Sequence, residues 1–150
     1  MLFKNITYID ENLEVKENSF VGVIDDKISY IGEQEPDNLQ DFGEIYDGKN
    51  KLLMPGFINS HSHSAATLLR SYADKQPVLE WLNDWMFPFE AKMTGDDYYW
   101  ASLLGYAEMM RFGITSCSDM YFYGHSRLKA IVDSKIKCNM SECIINILYF

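Results

Sequence analysis

Short apolar runs separated by polar turns fill the first 58 positions of the chain. The runs at 2–3, 6–9 and 19–24 are rich in β-branched and aromatic residues and read as strands. Asp25-Asp26-Lys27 has the composition of a tight turn, and 28–32 returns from it, which predicts a hairpin over 19–32. Residues 33–44 are polar and carry Pro36 and Gly43, the signature of a loop. A turn at Ile45-Tyr46-Asp47-Gly48 and an apolar run over 52–58 complete this β-rich part.

From residue 65 the spacing changes to helices alternating with short strands. Val78, Leu79, Trp81, Leu82, Trp85 and Met86 recur at helical spacing, and the helix is expected to end before Pro88. A longer helix is predicted over 95–112. Thr94 is its cap, Asp97 stands at the capping-box offset, and Asp96 adds negative charge at the positive end of the helix dipole. Trp100, Leu103, Leu104, Ala107 and Met110 form the expected buried stripe, with Arg111 in the last turn and Gly113 as the stop. A buried strand over 114–120, a helix capped by Ser126 and reaching Ile131 and Val132, and a strand over 137–145 follow.

Strand, helix, strand, helix, strand is the rhythm of parallel α/β architecture. Two or three such strands cannot close a barrel, which takes eight βα units and typically about 250 residues. An open remnant would expose bare strand edges. The chain is therefore expected to be part of a longer polypeptide, and the apolar stretch 144–150 points the same way.

Composition narrows the function classes. The chain has 150 residues, 47% hydrophobic and 23% charged, enough apolar material for a core. A net charge of −9 without a basic cluster argues against nucleic acid and anionic membrane as partners. There is no apolar run of about 18 residues and no signal-peptide pattern. Cys117, Cys138 and Cys143 are an odd set without a C-x-x-C pair, read as reduced thiols of a cytoplasmic protein.

The chemistry concentrates at Asn59-Ser60-His61-Ser62-His63, directly after the apolar run. Alternate side chains of a strand share a face, so His61 and His63 can meet one metal ion without backbone strain. Taken alone, such a pair is more often two histidines on a surface loop, and it is the apolar strand and Pro-Gly ahead of it that turn the reading towards metal. His125 is a conceivable third ligand or a surface residue ahead of a helix, and Asp119 ends a strand where it could hydrogen-bond near the site. Trp81 and Trp85 lie at i,i+4 and read as core.

The segment from Leu53-Met54-Pro55-Gly56-Phe57 through His63 resembles the first-strand signature of the amidohydrolase superfamily. Leu79-Glu80-Trp81-Leu82, Phe87-Pro88-Phe89-Glu90 and Gly113-Ile114-Thr115-Ser116 with Asp119-Met120-Tyr121 are similar to the branch of methylthioadenosine/S-adenosylhomocysteine deaminases and related chlorohydrolases. The resemblance implies an α/β fold: the N-terminal part of a metal-dependent TIM-like (β/α)₈ barrel with a small β-sandwich. Residues 1–58 would supply the sandwich share leading into the first barrel strand, and 59–150 the first βα units.

It further implies His61 and His63 as ligands of one divalent ion, Zn²⁺ first, with Fe²⁺ or Mn²⁺ as alternatives. Glu90 matches a residue contacting substrate, although spacing alone reads it as a solvated carboxylate after a helix. The implied reaction is hydrolytic deamination of a purine nucleoside or related heterocycle by metal-activated water, with chloride as leaving group in the chlorohydrolase relatives. The later ligands and the acid/base residues have no counterpart here and are expected beyond residue 150. The remaining readings are another cyclic C–N hydrolase of the same superfamily, a catalytically inert fragment and, for assembly, a homo-oligomer.

Overall fold

The computed structural model describes residues 1–144. The chain divides into two compact units, Met1–Pro55 and Gly56–Phe150. Positions 145–150 lie outside the described residues, and with them the end of the strand expected over 137–145 and most of the apolar stretch 144–150.

The first unit is a sheet in the order β3-β2-β1-β4, with β5 also pairing β1. Its strands are β1 (Leu2–Ile9), β2 (Val15–Ile24), β3 (Lys27–Gly32), β4 (Ile45–Asp47) and β5 (Leu52–Leu53). The two short runs at 2–3 and 6–9 are one strand, joined by an irregularity at Asn5, whose φ is 54°. Asparagine tolerates that left-handed conformation, and its side-chain amide donates to Asp47 at 3.0 Å. The hairpin is present, turning at Asp25 with φ 53°. Two expectations are corrected. A 3-10 turn, Leu39–Phe42, interrupts the predicted loop and buries Phe42. Ile45–Asp47 is a strand parallel to β1, because its backbone groups find partners on that edge.

The second unit is a parallel sheet of β6 (Phe57–Ser62), β7 (Ile114–Tyr121) and β8 (Lys137–Glu142). Helix α3 (Gly95–Arg111) connects β6 to β7, and α4 (Gly124–Ser134) connects β7 to β8. The α3 capping box is complete: the Thr94 hydroxyl accepts from the Asp97 N–H, and the Asp97 carboxylate accepts from the Thr94 N–H.

The buried stripe of α3 is not the one its most apolar residues indicated. Trp100 is 63% exposed, Leu104 49% and Met110 42%, and Ala107 is also exposed. The buried residues are Tyr98, Ala101, Ser102, Gly105 and Tyr106. This face lies against the 3-10 turn Ser64–Leu69 so closely that small residues and hydrogen-bonding aromatics are required. A Cβ at Gly105 would stand 3.0 Å from the Ser64 carbonyl oxygen.

Pro88 does not end its helix. Helical backbone runs through α1 (Val78–Glu80), a π turn (Trp81–Met86) and α2 (Phe87–Glu90). The π turn shifts the ladder by one residue, with Phe87 N–H donating to the Leu82 carbonyl, and so absorbs the donor that proline lacks. Trp81 is half-buried there, whereas Trp85 is 41% exposed and lies edge-on to Tyr72 instead of in the core. Ser126 is not the cap of α4 either. The helix starts at Gly124 after Tyr123, whose left-handed backbone (φ 53°) makes the turn out of β7.

Candidate metal centre and its surroundings

His61 belongs to β6, and His63 is the first residue past the strand's carboxyl end. The β6–β7 register slips between Asn59 and Ser62, an irregularity in the stretch that carries His61. Both imidazoles are exposed, their Nε2 atoms 3.2 Å apart and their rings at 81°.

The Nδ1 of His63 lies 2.7 Å from the Met120 carbonyl oxygen. That oxygen only accepts, so Nδ1 carries the proton and the neutral ring keeps its lone pair on Nε2. A nitrogen lone pair so close to a second ring nitrogen requires a proton or a cation between them. Two Zn–N bonds of about 2.0–2.1 Å meeting near the tetrahedral angle place their nitrogens about 3.3 Å apart. The pair therefore fits two ligands of one ion. Among the described residues no group of three or more His, Cys, Asp or Glu side chains is arranged to hold a metal. His125 is exposed on the first turn of α4 and joins no such group.

Glu90 is 7% exposed, at the end of α2, so the reading of it as a solvated carboxylate is corrected. Tyr121 donates its hydroxyl to Glu90 Oε1, while Oε2 is buried with no partner among the described residues. Burial pushes the Glu90 carboxyl above its ordinary range, opposed by the Tyr121 hydrogen bond and the neighbouring His63. The Tyr121 ring stands 5.9 Å from that of His63 and so links the carboxyl to the imidazole pair. The same burial, with Glu90 beside it, raises the phenol of Tyr121.

On the opposite side of β6, Ser62 and Ser64 point at Asp119, which is 1% exposed. Asp119 pairs with fully buried Arg127 of α4 at 3.0 Å. Arg127, Tyr106 and the two serines escaped the reading of the sequence. The available signal was Asp119 itself, a carboxylate at an inward position of a buried strand that needs a counter-charge nearby.

Paired imidazoles at the carboxyl end of a parallel strand are an arrangement able to hold a metal ion in an α/β fold. The amidohydrolase family model matches residues 52–147, and the chain belongs to that family. It is similar to 5-methylthioadenosine/S-adenosylhomocysteine deaminase of Dictyoglomus thermophilum, 42% identical over 134 residues, covering 89% of this chain and 31% of the relative. Against 5'-deoxyadenosine deaminase of Methanocaldococcus jannaschii the identity is 41% over 121 residues, covering 81% of this chain and 29% of that protein. The chain thus spans about a third of the length of these relatives.

Solved structures share its fold, among them two with zinc bound. An atrazine chlorohydrolase of Arthrobacter aurescens complexed with zinc superposes with TM-score 0.82 at 19% identity, covering 94% of this chain and 35% of that one. An adenosine deaminase of Xanthomonas campestris with bound zinc gives 0.81 at 25%, covering 91% and 32%.

Proposed function

We propose that the protein is a metal-dependent hydrolase that deaminates an adenosine-type purine of the methylthioadenosine/S-adenosylhomocysteine class. The observation that carries this reading is the pair of Nε2 atoms 3.2 Å apart at the end of β6. His61 and His63 supply two ligands of one divalent ion, Zn²⁺ in first place, since neutral imidazoles leave the ion its full positive charge. When bound, such an ion supplies a hydroxide-like nucleophile at neutral pH by acidifying water.

The residues of this chain do the rest of what is assigned here. The Met120 carbonyl fixes the His63 tautomer, and the close approach of the rings holds both nitrogens on one point. Glu90 accepts a substrate hydroxyl at Oε2, the buried oxygen that has no partner among the described residues. Tyr121 keeps that carboxyl turned towards the histidines. The remaining ligands and the acid/base groups are assigned to no residue of this chain. In this reading β6, β7 and β8 are the first strands of a (β/α)₈ barrel, and residues 1–58 contribute to a β-sandwich leading into it.

The deaminase reading is favoured over chloride release because the relatives at 41–42% identity are named deaminases, whereas the chlorohydrolase shares the fold alone. Metal analysis of the full protein, with methylthioadenosine and S-adenosylhomocysteine assayed for ammonia release, tests it. His61→Ala and His63→Ala are expected to lose metal and activity together, and His125→Ala to keep both. Unchanged metal content in His63→Ala would overturn the reading.

A further inference from the structure

Asp119 makes more contacts than an ion pair needs. Its Oδ2 accepts from Arg127 Nη1 at 3.0 Å and from the Tyr106 hydroxyl at 2.9 Å. Its Oδ1 accepts from the Ser64 N–H at 2.7 Å and the Ser64 hydroxyl at 2.9 Å, and it lies 3.2 Å from the Ser62 hydroxyl, which it shares with the Ser118 carbonyl at 2.9 Å. Every partner is a donor, and three of the five flank His63 in sequence.

The geometry has a direct consequence for the imidazoles. In extended chain successive side chains point to opposite faces. Pinning Ser62 and Ser64 to the helix-facing side therefore turns His61 and His63 to the other side. The next residue of β7, Met120, holds the His63 ring through its carbonyl. Two consecutive residues of β7 thus grip three consecutive residues of the neighbouring chain segment, by side chain at 62 and 64 and by backbone at 63. Arg127 anchors the grip. Its Nε donates to the Phe122 carbonyl at 2.9 Å and its Nη2 to the Ser141 carbonyl at 2.6 Å, tying in the end of β8.

We infer that Asp119, backed by Arg127 and Tyr106, is the positioning residue of the His61–His63 pair and sets its affinity and geometry for metal. This deepens the reading of those histidines as ligands and rests on it. Supporting groups behind metal ligands are worth 10–100-fold in metal affinity, which sets the expected size of the effect.

The test uses the full protein stripped of metal, with Zn²⁺ affinity measured by chelator competition and Co²⁺ as a spectroscopic probe. Asp119→Asn keeps the size of the side chain but sets an amide N–H against donors. It is expected to weaken Zn²⁺ binding by roughly 10–100-fold and to alter the visible Co²⁺ spectrum at saturation. Ile136→Ala, a cavity in the core beside Tyr106 and Cys117, is expected to lower stability and leave both readouts unchanged. Should Asp119→Asn fail to fold, the double change Ser62→Ala with Ser64→Ala decides by the same readouts. Native affinity and spectrum in the folded variant would overturn the proposal while His63→Ala still loses metal. If His63→Ala also retains metal, the ligand reading falls and the proposal with it.

Discussion

Tyr121 donates its hydroxyl to one oxygen of Glu90 and leaves the other without a partner among the described residues. Two side chains from separate elements, α2 and β7, thus share a buried site in which the Tyr121 hydroxyl partners only one of the two carboxyl oxygens among the described residues. Tyr121→Phe removes that donor and adds nothing to replace it. An unsatisfied buried polar group costs about 1–3 kcal/mol, and denaturant unfolding is expected to show a loss in that range. In a Glu90→Gln background the same change should cost measurably less, because an uncharged amide is cheaper to leave unpaired. Equal losses in both backgrounds would show that the hydroxyl matters for packing alone.

Local signals were legible in the sequence because they act over a few residues. Thr94 and Asp97 announce the start of α3 by their spacing, and the structure contains both reciprocal hydrogen bonds. The alternation in His61-Ser62-His63 likewise places two rings on one side without knowledge of the rest of the fold. What escaped was decided across space. The apolar residues of α3 misled because its buried face packs on the 3-10 turn at 64–69, where the Ser64 carbonyl leaves no room for a side chain at Gly105. Arg127 was invisible as a core residue because arginine belongs inside only when a carboxylate meets it, and Asp119 lies on a strand that spacing alone does not pair with α4.

Gly105→Ala sets helix propensity against packing. Alanine improves an exposed helix position by about 1 kcal/mol relative to glycine. Here the added Cβ would meet the Ser64 carbonyl oxygen at 3.0 Å and Thr67 Oγ1 at 3.0 Å, and a backbone oxygen inside a 3-10 turn yields little. Overpacking of this kind costs about 1–3 kcal/mol, so a net loss of stability is expected from thermal or denaturant unfolding. A gain would mean that α3 moves away from the turn at little cost.

Arg127→Met leaves Asp119 buried without its cation. Removing one partner of a buried pair costs about 3–5 kcal/mol, more than the pair itself contributes. The Tyr106 and Ser64 donors remain, which places the expected loss towards the lower end of that range. Combining Arg127→Met with Asp119→Asn should cost less than the sum of the separate losses, because the second change removes the stranded charge. Strict additivity in unfolding measurements would argue against a direct interaction.

Asp97 predicts a pH dependence whose sign follows from its place in the cap. The Thr94 N–H and hydroxyl, both donating to its carboxylate, hold its pKa below the ordinary value of 3.8. Between the folded and unfolded pKa values the unfolded chain binds more protons, so this contribution rises with pH. It is complete above 3.8 and is lost as pH falls through the lower folded value. Asp97→Ala should therefore be less stable than the native protein by a constant margin near neutral pH. That margin should shrink as pH is lowered below 3.8 towards the folded value, where protonation removes the charged form of the cap. Paired denaturant titrations of the two proteins at several pH values isolate this difference from the other carboxylates. A margin that stays constant as pH is lowered below 3.8 would show that the charge on Asp97 does not contribute to the cap.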